Sequence, residues 1–288
     1  MVVGVAWRTP LDKRKELVMI RVFPRRTNWT PIDNLSFVGG PLLWKLPEQP
    51  VRISVTFSWD IKEAQKLYRA WRDEYEDVKI GGPAFQDPGN TFMVGQFVKP
   101  GHVFTSRGCP NRCPWCLAPR REGDIRELPI VSGSDIADNN LLACSRKHIE
   151  AVFDMLKDQK GIKFSGGLDA RLLERWHVDA LKKLRIKFMW FACDTSGGVK
   201  PLERVSDLLA DFSIEKKRCY VLIGHNGEDL SQAEKRLERV YKMGFLPLAM
   251  LYRDEKAEEW GQDWKDLRWK WSRPAVYRAT DKRKELVK

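Results

Sequence analysis

Two short apolar runs, KFMWFA at residues 187–192 and RCYVLI at residues 218–223, decide the predicted fold of this 288-residue chain. Both runs are rich in aromatic and branched apolar residues, as is typical of strands buried on both faces. The segment Leu202–Leu209 between them carries apolar residues at helical spacing. A strand, a helix and a strand in this order predict two parallel strands joined by a crossover helix.

The same alternation continues in both directions along the chain. Further strands are predicted at His102–Ser106, Ser134–Ala137, Ile162–Ser165 and Phe245–Leu251, and further helices at His148–Leu156, Leu172–Leu184 and Leu230–Met243. Six strands with helical crossovers predict an α/β fold, a partial (β/α)6 barrel of the TIM type. In such folds the chemistry lies at the carboxyl ends of the strands.

Three regions are expected along the chain. Residues 1–98 form an N-terminal extension, in which two strands at Val51–Phe57 and Val78–Ile80 flank a helix at Ile61–Tyr75. This short strand–helix–strand unit is an appendage to the partial barrel at 99–255. A tryptophan-rich basic tail follows at 256–288. In the tail, Trp260, Trp264, Leu267 and Trp271 have the spacing of one helical face, and the heptad DKRKELV at 281–287 repeats residues 12–18.

Charge and composition narrow the class of protein. Lys and Arg number 51 against 39 Asp and Glu, a net charge of +12 that favours anionic partners, nucleic acid first. No run of about 18 apolar residues occurs, so no membrane span is expected. The N-terminus lacks the apolar core of a secretory signal. Six cysteines in a chain of this length favour reduced thiols or metal ligands over a disulfide framework. We therefore expect a cytoplasmic protein.

Cys109, Cys113 and Cys116 lie in SRGCPNRCPWC, residues 106–116, directly after a predicted strand. Three thiolates on one loop can bind three irons of a cubane cluster, whereas electron-transfer clusters usually have four cysteine ligands. The remaining iron would keep an open position for an outside ligand, as catalytic zinc sites do. Zinc binding is the alternative, but no second Cys or His pair follows at the usual spacing.

The pattern Cys-x-x-x-Cys-x-aromatic-Cys, with Trp115 as its aromatic residue, resembles the signature of the radical S-adenosylmethionine (radical SAM) superfamily. The resemblance covers about residues 100–250, and the whole chain resembles small radical SAM proteins of phage and environmental sequences. It implies a 4Fe–4S cluster on the three cysteines. It also implies S-adenosyl-L-methionine on the open iron, reductive cleavage to a 5′-deoxyadenosyl radical, and a flavodoxin or ferredoxin as electron donor. The basic charge favours a nucleic acid or nucleotide as substrate.

Cofactor-binding residues are expected at the ends of the predicted strands. These residues are Trp115 in the cysteine loop and Asp138, Asn139, Asn140, Asp169, Arg171, Asp194 and Gly224 after successive strands. By the resemblance, the segment 138–140 would contact the methionine amino group. Arg171 would bind the carboxylate of the cofactor, and Asp194 would bind its ribose hydroxyls. The backbone near Gly224 would lie along the adenine. Each position also has a plainer interpretation as a turn or a helix cap.

Two functions outside this superfamily remain as alternatives. One is a non-catalytic iron–sulfur protein that binds nucleic acid, and the other is a zinc-binding interaction module. The three-cysteine loop without a fourth ligand favours the enzyme over both.

Overall fold

The computed structural model describes residues 19–44, 46–86, 96–253 and 260–279. Both copies of the DKRKELV heptad lie outside these residues. The chain divides into two compact units, the first made of residues 1–102 with 117–123 and the second of residues 103–116 with 124–288. The segment predicted as a separate tail from residue 256 therefore belongs to the second unit.

The first unit contains a four-stranded parallel sheet. Its strands are β1 (Ile20–Phe23), β2 (Ser36–Val38), β3 (Val51–Ser54) and β4 (Val78–Gly81), in the order β2-β1-β3-β4. Helix α1 (Ile61–Arg72) connects β3 to β4 and buries Ala64, Leu67 and Trp71 in the same core as the strands. The predicted strand–helix–strand appendage is thus part of a larger sheet.

Strands β1 and β2 have no equivalent among the predicted elements. All four residues of β1 are buried, so the run IRVF shows no alternation of apolar and polar residues. One of them is Arg21, whose guanidinium forms an ion pair with Asp33 and donates to the Gln96 carbonyl oxygen over 2.7 Å. A buried charge inside a short strand hides the pattern by which strands are recognised.

The second unit is built on a six-stranded sheet. Its elements include strands β5 (His102–Val103), β6 (Ser106–Arg107), β7 (Arg126–Glu127), β8 (Asp135–Ile136), β9 (Ile162–Phe164), β10 (Ile186–Ala192), β11 (Lys217–Ile223) and β12 (Leu246–Leu251). The sheet order is β12-β11-β10-β9-β8-β5, and all pairs from β8 to β12 are parallel. This arrangement confirms the predicted α/β class with parallel sheets. The strand predicted at His102–Ser106 is instead split, since β6 pairs with β7 in an antiparallel ribbon.

Four helices connect the parallel strands β8 to β12 in turn: α3 (Arg146–Lys157), α4 (Arg175–Leu181), α5 (Val199–Leu208) and α6 (Leu230–Lys242). The short helix numbered α2 (Ala118–Glu122) lies between β6 and β7 in the chain and belongs to the first unit, and α7 (Gln262–Trp271) follows β12. Helix α6 begins with a capping box, in which Asp229 accepts from the Gln232 backbone N–H and the Gln232 side chain accepts from that of Asp229. None of the helices in the described ranges is long and apolar enough to cross a bilayer.

Helix α7 contains three of the four residues predicted to form one helical face in the tail, namely Trp264, Leu267 and Trp271. Leu267 and Trp271 are buried, whereas Trp269, off the stripe, is 52% exposed. Before the helix, the Trp260 ring covers Gly224, where an added β-carbon would lie 2.6 Å from Cη2 of the indole. Gly224 also has a φ of 76°, so both its backbone and its surroundings require glycine.

The ends of β8 and β9 approach closely at Gly166. Its backbone N–H donates to the Ile136 carbonyl oxygen over 3.1 Å, and an added β-carbon would overlap the Asp138 carbonyl oxygen. A side chain at this position must push the two strand ends apart, because the obstructing atoms belong to the backbone.

We predict that Gly166→Ala lowers the free energy of unfolding by about 3 kcal/mol, because the added methyl group overpacks a rigid contact. Urea unfolding at equilibrium measures this. Gly197→Ala is the matched control, since its β-carbon would meet its nearest neighbour at an ordinary 3.6 Å; its effect should stay within about 0.5 kcal/mol. Equal effects of the two substitutions would contradict the close approach.

Candidate functional site

A cavity of about 520 Å³ in the second unit brings together most of the predicted site residues. It is lined by the three clustered cysteines and Trp115, by polar residues from several strand ends (Asn111, Asn139, Asn140, Asp169, Arg171, Asp194, Thr195), and by apolar side chains that include Phe191, Leu222 and Met250. The volume lies within the range of small-molecule sites in proteins. Of the predicted residues, only Asp138 and Gly224 are absent from its walls.

The cysteine loop supplies three thiols to this cavity. Cys109 is buried, Cys113 and Cys116 are partly exposed, and no disulfide joins any of the six cysteines. Burial raises the pKa of the Cys113 thiol, and the nearby Cys116 and Cys109 raise it further, whereas the charge of Arg171 lowers it. The three sulfur atoms therefore lie close enough to influence one another.

The three thiols of the loop differ from the ligand set of a single metal ion. Within the described ranges, no three Cys, His, Asp or Glu side chains converge as ligands of one metal ion. A cubane cluster does not require such convergence, because each thiolate binds a different iron. Thiolates are also the ligands that iron–sulfur clusters prefer. Three cysteines around one cavity therefore fit a cluster.

Asp138 holds the segment that enters the cysteine loop. Its carboxylate accepts hydrogen bonds from the Thr105 backbone N–H (2.6 Å), the Thr105 hydroxyl (2.5 Å) and the Ser106 hydroxyl (2.8 Å). Burial raises the pKa of Asp138, and these hydrogen bonds oppose the rise. The Asp138 carboxylate thus has donors within the protein and does not line the cavity, and its predicted contact with a bound cofactor stays a prediction.

Asp194 holds the other end of the loop. One carboxylate oxygen accepts from Trp115 Nε1 (3.3 Å) and the other from the Leu222 backbone N–H (3.0 Å). The Trp115 ring also packs against His225, with centroids 4.8 Å apart. Burial raises the pKa of Asp194, while its hydrogen bonds to Leu222 and Trp115 lower it. The loop is therefore tied to the ends of β10 and β11.

A hydrogen-bonded network lies beside the thiols. Asp169 accepts from Asn111 Nδ2 (3.0 Å), Asn140 Nδ2 (3.2 Å) and two nitrogens of the Arg171 guanidinium (2.8 and 2.6 Å). Burial would raise the pKa of Asp169, but the hydrogen bonds from Arg171 and Asn111 hold it below its usual value. Asp169 thus orients Arg171 through two of its guanidinium nitrogens, while the arginine side chain stays 55% exposed.

Asn140 has one unmet hydrogen-bonding atom at the wall of the cavity. The residue is 3% exposed, and its amide nitrogen lies 3.7 Å from Cys109 Sγ. Its Oδ1 accepts no hydrogen bond from the described part of the chain. Because buried side-chain oxygens normally accept a hydrogen bond, we expect a bound molecule or a water to donate one to this atom.

Sequence reasoning missed some lining residues. Asn111 lies between the first two cysteines, so its position in the loop was a usable signal. Tyr220 and Leu222 alternate with buried residues along β11, and this alternation marks them as members of the second face of the sheet.

No protein-family model and no curated protein sequence matches this chain.

We predict that Asp138→Asn lowers the free energy of unfolding by about 2 kcal/mol, because an amide cannot accept all three hydrogen bonds in place of the carboxylate. It should also increase the rate at which Cys109 reacts with a thiol reagent. Urea unfolding and a thiol titration measure the two effects. Asp154→Asn, at an exposed ion pair with Lys157, is the control and should change both much less. Equal effects of the two variants on the free energy of unfolding and on the reactivity of Cys109 would show that Asp138 does not hold the cysteine loop.

Proposed function

We propose that this protein is a radical SAM enzyme, in which Cys109, Cys113 and Cys116 bind a 4Fe–4S cluster and the cavity binds S-adenosyl-L-methionine. The observation that carries the proposal is one cavity lined by all three cysteines of the Cys-x-x-x-Cys-x-Trp-Cys loop and by polar residues from successive strand ends. The basic charge of the chain favours a nucleic acid or nucleotide as the substrate of the radical.

The residues that line the cavity support a cluster in which one iron has no protein ligand. Among its described lining residues there is no fourth cysteine and no histidine. The two carboxylates, Asp169 and Asp194, already accept hydrogen bonds from neighbouring side chains. A cluster held by the three thiolates would therefore keep one position for an outside ligand.

The polar residues beside the cysteines suit the amino acid portion of S-adenosyl-L-methionine. Asn140 Oδ1, which lacks a donor, can accept from an ammonium group. The Arg171 guanidinium, held by Asp169, places a cation at the same wall for a carboxylate. Phe191, Leu222 and Met250 add apolar surface that limits the access of water.

We also propose that the six-stranded sheet curves into the predicted partial barrel. Each strand in the order β8 to β12 lies beside the preceding strand of that series, as in a singly wound barrel.

When bound, a reduced cluster of this kind supplies the electron that cleaves a sulfonium C–S bond, giving methionine and the 5′-deoxyadenosyl radical. Its electron donor would be a flavodoxin or ferredoxin. The contribution of this chain is to hold the loop through Asp138 and Asp194, to orient the cofactor through Asn140 and Arg171, and to exclude water. The protein thus supplies position and shielding, and the cofactors supply reactivity.

Anaerobic reconstitution with iron and sulfide, followed by dithionite and S-adenosyl-L-methionine, tests the proposal. We expect about four irons per chain and formation of 5′-deoxyadenosine. Cys109→Ala, Cys113→Ala and Cys116→Ala should each abolish 5′-deoxyadenosine formation, because each removes one of the three iron ligands. Cys144→Ala should retain it, since Cys144 does not line the cavity. Iron analysis and chromatography of the nucleoside give the readouts.

The other outcomes separate the alternatives. An intact cluster that yields no 5′-deoxyadenosine with several low-potential donors would indicate a non-catalytic iron–sulfur protein. Tight stoichiometric zinc in place of iron would indicate a zinc-binding module. Either result would overturn the proposal.

We expect Asn140→Ala to weaken the binding of S-adenosyl-L-methionine about tenfold, because a hydrogen bond to a charged amino group is lost. Equilibrium binding to the reconstituted protein measures this, and unchanged iron content shows that the cluster is retained. Asn34→Ala, at an exposed position of the first unit, is the control. Identical affinities of the two variants would remove Asn140 from the site.

A further inference from the structure

The second unit contains another cavity, of about 470 Å³. Asp194 and Thr195 line both cavities. The second is otherwise formed by residues around the start of α5, by the loop after β11 and by one face of α6. None of the three cysteines lines it, so it is not needed for the proposed cluster.

Helix α6 brings three cations to this cavity, and they differ in how firmly they are held. Arg236 is 7% exposed; it donates to the carbonyl oxygens of Cys193 (2.7 Å) and Leu222 (2.9 Å) and forms a buried ion pair with Glu228. This arginine therefore braces the ends of β10 and β11. Its charge is compensated, and it is not available to a ligand.

The other two cations are available. Lys235 is exposed and has no carboxylate partner in the described part of the chain. Arg239 pairs with Glu203, and the side chains of both are substantially exposed, 58% and 42%. An exposed pair of this kind contributes little free energy, so a ligand of higher charge can compete for the arginine.

Hydrogen-bonding groups complete the wall. The hydroxyl-bearing residues Thr195 and Ser196 line the cavity, and so does Val199, the first residue of α5, where the positive end of the helix dipole lies. His225 is 7% exposed, and its Nε2 donates to the Asp194 carbonyl oxygen over 2.7 Å.

We propose that this second cavity binds the phosphoryl group of a nucleotide, either free or within a nucleic-acid strand. A phosphoryl group has several acceptor oxygens and a negative charge, and it matches cations on one wall and hydroxyl groups on another. The excess of basic residues in the chain favours the same ligands. Because Asp194 and Thr195 line both cavities, a ligand held here by its phosphoryl group can extend toward the cysteines. That last step rests on the proposed function, whereas phosphoryl binding does not.

Calorimetry on the full-length chain at constant ionic strength tests this proposal. The probes are adenosine 5′-monophosphate, adenosine and a short single-stranded oligonucleotide. Lys235→Glu should weaken binding of the phosphorylated probes at least about tenfold, because one favourable charge is replaced by a repulsive one. Lys242→Glu makes the same charge change at the exposed end of α6, away from the cavity, and should have less than about a twofold effect.

A second exposed cation gives another readout. Arg239→Gln removes the other available positive charge, whose side chain is 58% exposed. We expect it to weaken binding of the phosphorylated probes about threefold while the chain stays folded by circular dichroism. Unchanged binding in both Arg239→Gln and Lys235→Glu would overturn the proposal.

The outcomes distinguish the sources of the phosphoryl group. Binding of the monophosphate but not of adenosine, with loss in Lys235→Glu, indicates a free nucleotide. Binding of the oligonucleotide alone, with the same loss, indicates a nucleic-acid strand. Equal effects of Lys235→Glu and Lys242→Glu, or no binding of any phosphorylated probe, would overturn the proposal. Because these measurements need neither cluster nor reductant, their failure is separate from a failure to form 5′-deoxyadenosine.

Discussion

The buried carboxylate of Asp138 is the constraint on which the position of the cysteine loop depends. It accepts three hydrogen bonds from Thr105 and Ser106, immediately before the loop begins. Gly166 allows the end of β9 to pack directly on the Asp138 backbone. At the other end of the loop, Trp115 donates to Asp194. The thiols are thus positioned by the ends of parallel strands, where side chains from distant parts of the sequence converge.

The sequence predicted the central strands well because their apolar runs are long and continuous. KFMWFA and RCYVLI became β10 and β11 with one added residue at the start of each. The sequence did not reveal β1, a short strand that contains the buried Arg21. The partners of this arginine, Asp33 and Gln96, lie elsewhere in the chain, and no local pattern identifies them. The sequence also predicted Asp138 as a ligand contact. A sequence shows that a carboxylate follows a strand, but not whether its hydrogen-bond donors come from the protein or from a ligand.

The candidate site was predicted more completely than the contacts within it. Nine of the eleven predicted residues line one cavity, because the cysteine loop and the strand ends that carry them are neighbours in the fold. The exceptions are Asp138, whose carboxylate is hydrogen-bonded to Thr105 and Ser106, and Gly224, which is covered by Trp260. The pairing of Arg171 with Asp169, and the support of the loop by Asp194, arise from side-chain geometry that spacing alone does not specify. The second cavity arises in the same way, since Thr195, His225 and Lys235 are brought together only by the packing of α6 on the sheet.

Mössbauer spectroscopy of the iron-57-reconstituted protein, with and without S-adenosyl-L-methionine, tests whether the three-cysteine loop leaves one iron open. We expect a 4Fe–4S cluster in which one iron changes its parameters when the cofactor is added, because only that iron would lack a cysteine ligand. A spectrum in which every iron is unaffected by S-adenosyl-L-methionine, or the absence of a cubane cluster after anaerobic reconstitution, would contradict this expectation.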